Sequence, residues 1–276
     1  MHATVIGGKG FIGQVLVAHL RTQGWHVEVP ERNHPWPDAQ RDLGHVFYCA
    51  GVTADFLQNP ANTVQAHVGL LAQVLQSTRF TSLVYLSSTR LYDGLSTGAT
   101  GLEGTPLTVA PHIPRHLYDL TKLAGESLCH VMGQGKARVA RLSCVYDTTA
   151  SAQGFLPSTL KQVAAAAPGE TITLASSPHF ARDYIHVNDV VRALVDMALG
   201  AREVIYNVAS GVNLSNAALA TLLEQHTGRK VRFEHAHASP APATVSVNRL
   251  VSEWGWHPGS VEAALAPWLT QLQTSS

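Results

Sequence analysis

Residues 7–13 read Gly-Gly-Lys-Gly-Phe-Ile-Gly, so Gly7, Gly10 and Gly13 stand at three-residue intervals. The run Ala3–Ile6 before them is short and β-rich. After them Phe11, Ile12, Val15, Leu16 and Leu20 recur at helical spacing. A strand that turns through glycines straight into an amphipathic helix commits the chain to a βαβ unit and a parallel sheet. The first glycine allows a tight turn and the second lets backbone approach a pyrophosphate. The third lets helix and strand pack closely, with phosphates at the positive helix N-terminus. Gly7, Gly10, Phe11, Ile12 and Gly13 are therefore the first candidate cofactor contacts.

The same alternation continues downstream. Gly24 ends the first helix, and Val27 and Val29 alternate as a second strand. Val46–Ala50 is apolar throughout, as a strand covered on both faces should be. Further strands are expected at Leu83–Leu86, Val139–Leu142, Thr171–Leu174 and Glu203–Asn207, with helices at Leu156–Ala167 and Val187–Leu199. From about Thr148 the rhythm loosens, and the last seventy residues mix short helices with the turn Ser239-Pro240-Ala241-Pro242. The expected fold is α/β: a doubly wound parallel Rossmann sheet with a small C-terminal lobe capping the substrate. Residues 1–150 with 183–207 would form the dinucleotide-binding part, and 151–182 with 208–276 the lobe.

Composition narrows the partners. The 276 residues carry 19 basic and 19 acidic side chains, and no Lys/Arg run stands out, which disfavours nucleic acid. No stretch of about 18 apolar residues is free of charge, which disfavours a membrane span. No secretory signal precedes the glycine cluster, and the three cysteines (Cys49, Cys129, Cys144) read as buried free thiols. A cytoplasmic protein is expected. Among 15 histidines there is no His-Glu-x-x-His, no Cys-x-x-Cys, and only the pair His235/His237, so no metal is expected.

Glu31 lies eighteen positions after Gly13, where a carboxylate accepts the ribose hydroxyls of NAD and repels a 2′-phosphate. Arg32 beside it would pair with that phosphate instead, so NAD is favoured and NADP stays open. Ala50 and Gly51, at the end of the third strand, complete the cofactor set. Tyr118 and Lys122 are one helical turn apart and share a face. Their helix follows the strand ending at Ser88, and such sheets place their chemistry at the C-terminal strand ends. Lys122 beside an oxidised nicotinamide would pull Tyr118 from its reference near 10 towards neutrality. A tyrosine so tuned takes the proton of an alcohol as hydride leaves, with Ser88 bonded to the same oxygen.

These features resemble the extended short-chain dehydrogenase/reductases, specifically the NAD-dependent sugar-nucleotide epimerase/dehydratase group. The likeness spans nearly the whole chain. It runs from Gly7–Gly13 through Leu86-Ser87-Ser88, Leu91-Tyr92 and Tyr118-x-x-x-Lys122 with Glu126. It continues through Arg182–Val187 with Asp189, Tyr206-Asn207-Val208 and Trp254–Pro258. The resemblance implies Tyr118 as acid/base, Lys122 as its partner and ribose ligand, and Ser88 and Thr89 at the substrate. Arg182 would grip the diphosphate of a nucleotide sugar, as a guanidinium can with two hydrogen bonds. It also implies a homodimer joined through two Rossmann helices.

Three departures qualify the resemblance. The 4,6-dehydratases carry Asp-Glu after the catalytic hydroxyl, where this chain has Thr89-Arg90, which argues against dehydration. Cys144 replaces an asparagine that touches substrate. Only about fourteen residues, including Pro35, Trp36 and Pro37, join the second strand to the strand at Val46, too few for another helix and strand. The sheet should lack that edge strand and the adenine pocket should be shallower. The leading function is epimerisation of a nucleotide sugar through a transient ketone. The alternatives are a net NAD(P)H-dependent reductase or dehydrogenase, and a non-catalytic dinucleotide-binding sensor or assembly protein.

Overall fold

The computed structural model describes residues 1–36, 41–76, 79–149, 154–237 and 241–274. The expected residues Pro37, Ser239 and Pro240 lie outside them. The chain opens with β1 (His2–Ile6), α1 (Phe11–Thr22), β2 (His26–Glu28) and β3 (His45–Tyr48). Next, α2 (Pro60–Val64) passes through a π-type turn (Gln65–Gly69) into α3 (Leu70–Leu75). β4 (Ser82–Ser88) ends in a 3-10 turn (Thr89–Tyr92), followed by β5 (Thr100–Gly101), α4 (His116–Met132) and β6 (Ala137–Leu142). Then come β7 (Cys144–Tyr146), α5 (Phe155–Ala165), β8 (Thr171–Leu174), β9 (Ala181–His186), α6 (Val187–Gly200) and β10 (Ile205–Val208). The chain closes with β11 (Asn213–Ser215), α7 (Asn216–Thr227), β12 (Lys230–Phe233), β13 (Thr244–Val245), α8 (Asn248–Trp254) and α9 (Val261–Thr274).

Six parallel strands form the central sheet in the order β10-β6-β4-β3-β1-β2. The chain steps from β1 out to β2, then returns to β3 on the other side of β1. That reversal leaves a crevice at the C-terminal ends of β1 and β3. No further strand among the described residues lies beyond β2, as the short 29–44 connection requires. The α/β Rossmann architecture read from the sequence is thus the observed one, with β2 as its edge.

Successive strand residues face opposite sides, and β4 is buried on both. Its Leu83 and Tyr85 pack with Leu71, Val74, Leu75 and Cys129 of α3 and α4. Its Val84 and Leu86 pack with Leu16 and Leu20 of α1 and Val190 and Leu194 of α6. Burying a side chain of this kind contributes roughly 1.5–3 kcal/mol, so the strand that delivers Ser88 is the best anchored in the sheet. A separate apolar cluster joins Tyr146, Leu156, Leu160, Tyr184, Leu223 and Leu269. Around it lie two small sheets, β11-β9-β7 and β12-β8. The strands β7, β11 and β13, of two or three residues each, are too short to announce themselves as periodic runs. Buried free thiols are observed only in part: Cys129 is buried, Cys49 half-buried, and Cys144 exposed. Cys144 opens β7 and stands exposed there, so its apolar sequence neighbours do not bury it.

Candidate active site

On α4 the residues Tyr118, Thr121, Lys122, Gly125, Glu126 and Cys129 recur at three- and four-residue steps, and all are buried. Helical stripes at this spacing face the core, but this one is largely polar and every member needs a partner. Glu126 and Arg141 of β6 make a two-pronged pair, Nε to Oε1 at 2.9 Å and Nη2 to Oε2 at 2.6 Å. Ser87 donates to the same Oε1 at 2.6 Å. Arg141 also donates to the Tyr92 hydroxyl at 2.8 Å, and Tyr92 donates to Asn207 Oδ1 at 2.8 Å. Strands β4, β6 and β10 are thereby tied to α4 by one buried network. At Gly125 a Cβ would stand 2.4 Å from the Tyr85 hydroxyl, so only glycine lets α4 lie this close to β4.

This docking sets the position of the candidate chemical groups. Lys122 Nζ donates to the Leu86 carbonyl at 2.8 Å and lies 5.8 Å from the centre of the Tyr118 ring. Burial pushes the Lys122 ammonium down to about 7, against the opposing pull of Glu126. Burial likewise pushes the Tyr118 hydroxyl above its ordinary value. Hydrogen bonds from Ser88 and Thr53 and the charge of Arg90 act the other way. Ser88 is buried at the end of β4 and accepts from Arg90 N at 3.2 Å, starting the 3-10 turn. Thr89 is half-buried beside it.

Four contributors escaped the sequence reading. The Arg90 guanidinium stacks 4.8 Å from the Tyr118 ring centre and 5.5 Å from that of Phe56. His67 sits fully buried in the π-type turn, edge-on to the Tyr118 ring at 5.5 Å. Its Nε2 accepts from Val52 N at 3.2 Å, so Nδ1 carries the proton it shares with Thr121 Oγ1 at 2.9 Å. Thr121 in turn donates to the Tyr118 carbonyl at 2.9 Å. Burial pushes His67 down to about 3, which keeps it neutral. The fourth is Thr53, whose side chain opposes the effect of burial on the Tyr118 hydroxyl. A π-type turn is the one signal that marks His67, and spacing alone does not reveal it.

Across the crevice, Gly7 has φ +83° and a Cβ there would meet Ala50 N at 2.6 Å. A Cβ on Gly13 would meet the Gly7 carbonyl at 2.4 Å. Gly10 caps α1 in extended conformation, and no side chain closes the first turn of the helix. Its N–H groups are left for an outside acceptor. Phe11 is exposed and Ile12 half-buried at that turn. Gly51 lies near both His67 and Lys122, 3.2 Å and 3.5 Å from where its Cβ would be. The structure therefore brings Gly7, Gly10, Gly13, Ala50, Gly51, Ser88, Tyr118 and Lys122 to one edge of the sheet.

Glu31 and Arg32 fit this picture less simply. Both are exposed, and Lys9 of the glycine loop donates to both Glu31 oxygens at 2.8 and 2.7 Å. The carboxylate expected to face ribose is already occupied by a cation. Arg32 forms no ion pair among the described residues. Arg182, on β9, stacks 4.5 Å from the Phe180 ring centre. Its acidic neighbours are engaged elsewhere, Asp183 with the N–H groups of Ser210 and Gly211, and Asp189 with Arg192 and Gly259 N.

A family model described as the NAD dependent epimerase/dehydratase family matches residues 3–209. The chain belongs to that family. A search of curated protein sequences gave no significant match. Solved structures similar to it include RMD from Pseudomonas aeruginosa complexed with NADPH, at 23% identity and TM-score 0.77, covering 100% of this chain and 98% of that one. MoeE5 in complex with UDP-glucose and NAD is similar at 22% identity and TM-score 0.75, over 100% and 99%. A UDP-glucose 4-epimerase of Thermotoga maritima with UDP-glucose is similar at 18% identity and TM-score 0.75, over 100% and 99%. At these identities the likeness is one of fold. Among the described residues no helix is long and apolar enough to cross a membrane.

Proposed function

We propose that this family member is an NAD-dependent epimerase of a nucleotide sugar, working through a transient keto form of the sugar. The observation that carries the reading is the buried Tyr118 hydroxyl. It lies beside Ser88 and one helical turn from Lys122, at the strand ends facing the glycine loop. The crevice suits a dinucleotide: Gly7 and Gly13 leave no room for a Cβ, and the first turn of α1 has no side-chain cap. Gly7, Gly10, Phe11, Ile12, Gly13, Ala50 and Gly51 would hold the pyrophosphate and its flanks, and Lys122 the ribose by the nicotinamide. When bound, the nicotinamide supplies the hydride acceptor and donor.

Tyr118 takes the proton from a sugar hydroxyl as the carbonyl forms, and returns it when the carbonyl is reduced from the opposite face. Ser88 donates to the same oxygen in both directions. Burial holds the Tyr118 hydroxyl protonated in the unliganded protein, and the charge of Arg90 opposes that burial. Neither Thr89 nor Arg90 offers the carboxylate that elimination of water would need, so the sequence of steps ends at epimerisation. Arg182, which no carboxylate among the described residues holds, is assigned to the diphosphate. Residues 1–150 with 183–207 are assigned to cofactor binding, and 151–182 with 208–276 to the sugar nucleotide. A homodimer belongs to the same reading.

A second reading has one observation in its favour. Lys9 neutralises Glu31 while Arg32 stands exposed beside it, which suits a 2′-phosphate and hence net reduction by NADPH. Mass spectrometry of small molecules released by denaturing freshly purified protein separates the two. Stoichiometric NAD or NADH is expected, because an epimerase recycles its cofactor in place. An empty protein that fills only with added NADPH overturns the epimerase in favour of the reductase.

A further inference from the structure

At the opposite end of the sheet from Tyr118, β1 and β2 run in parallel with His2 directly across from His26. Side chains two apart on a strand share a face, so Glu28 joins them there. His2 Nε2 lies 3.5 Å from Glu28 Oε1, and His26 Nε2 lies 3.7 Å from the same oxygen. All three ligand atoms fall within 4.8 Å of one another. Neither contact is short enough for a hydrogen bond, and His2 Nε2 is buried with no hydrogen-bond partner. The other Glu28 oxygen accepts from Arg41, which fixes the carboxylate with Oε1 turned to the imidazoles.

We infer that His2, His26 and Glu28 form a binding site for a zinc-class divalent ion. Around a tetrahedral zinc with bonds of about 2.0–2.2 Å, ligand atoms stand roughly 3.3–3.6 Å apart. The observed imidazole–carboxylate distances of 3.5 and 3.7 Å need only a slight contraction, and the two imidazole nitrogens, within 4.8 Å of each other, must close by at most about 1.5 Å. Two imidazoles and one carboxylate suit zinc and its neighbours, whereas magnesium and calcium call for oxygen ligands throughout. His26, three-quarters exposed, leaves one side open for a water as fourth ligand. Arg41 acts from outside as the partner that orients the ligating carboxylate. The ion would clip β2 to β1 at an edge that no further described strand covers. No local motif records it, because its two histidines come from two strands, 24 residues apart along the chain.

The test is calorimetric titration of tag-free, chelator-treated, desalted protein with zinc chloride. One equivalent should bind, His26→Ala should weaken that binding at least tenfold, and Glu28→Gln should do the same. His237→Ala, which breaks the stacked pair His235/His237, should leave it unchanged. Zinc should raise the Tm of the parent protein and not that of His26→Ala, whose exposed side chain is not needed for folding. Absence of saturable binding, binding that survives His26→Ala, or binding lost only in His237→Ala overturns the site.

Discussion

Glu126 and Glu31 are both carboxylates gripped by a cation near the C-terminal edge of the sheet, yet their surroundings are opposite. Glu126 and Arg141 are about 95% buried, and Ser87, Tyr92 and Asn207 extend the pair into a network spanning three strands and α4. Glu31 and Lys9 are about two-thirds exposed, and among the described residues their charged groups hydrogen-bond only to each other. A buried charge that loses its partner is left uncompensated in a medium that cannot solvate it. An exposed one is simply rehydrated. The half of the crevice carrying Ser88, Tyr118 and Lys122 is therefore preorganised, and the half proposed to face the cofactor's adenosine end is adjustable. The reacting groups tolerate little displacement, whereas preference between two cofactors needs only a modest free-energy difference.

If the preorganised half holds the chemistry, the largest effect comes from its reacting group. Tyr118→Phe keeps the ring that packs against Phe56 and His67 and removes only the hydroxyl. Turnover should fall about 10³-fold, while cofactor binding by titration stays close to that of the parent. Undiminished turnover would remove Tyr118 from the mechanism.

Next in size is the network itself. Arg141→Met should cost about 3–5 kcal/mol in denaturant unfolding, because Glu126 stays buried without its partner. Adding Glu126→Gln should return part of that loss. A cost below about 1 kcal/mol would mean that the buried pair behaves like a surface one, and the contrast would collapse.

The two halves also differed in how far the sequence disclosed them. Gly7, Gly10 and Gly13, and likewise Tyr118 and Lys122, are near neighbours whose spacing maps directly onto a turn or a helical face. Ser88 followed from the same logic, as the end of a strongly apolar strand. Arg141, Glu126, Tyr92 and Asn207 meet across separations of up to 115 residues, and no local period records that. Arg90 read only as a missing carboxylate, although its guanidinium lies over the Tyr118 ring. His67 was one of 15 histidines until the π-type turn placed it beside Tyr118 and Thr121. Glu31 lies three residues past the end of β2, and its capture by Lys9 depends on how the glycine loop folds back, which no spacing records.

The smallest effect is expected at that surface pair. Glu31→Ala should change unfolding stability by less than about 1 kcal/mol and leave Tyr118 and Ser88 in place. Freed from Glu31, Lys9 would join Arg32 as a second cation at the ribose, so affinity for NADPH should rise relative to NAD by several-fold. Fluorescence titration with both reduced cofactors measures the ratio. An unchanged ratio would mean that neither Glu31 nor Lys9 reaches the ribose, and that cofactor choice is made by residues outside this pair. A stability loss as large as that of Arg141→Met would mean that the Lys9–Glu31 pair holds the glycine loop itself. The adjustable half would then be as preorganised as the catalytic one.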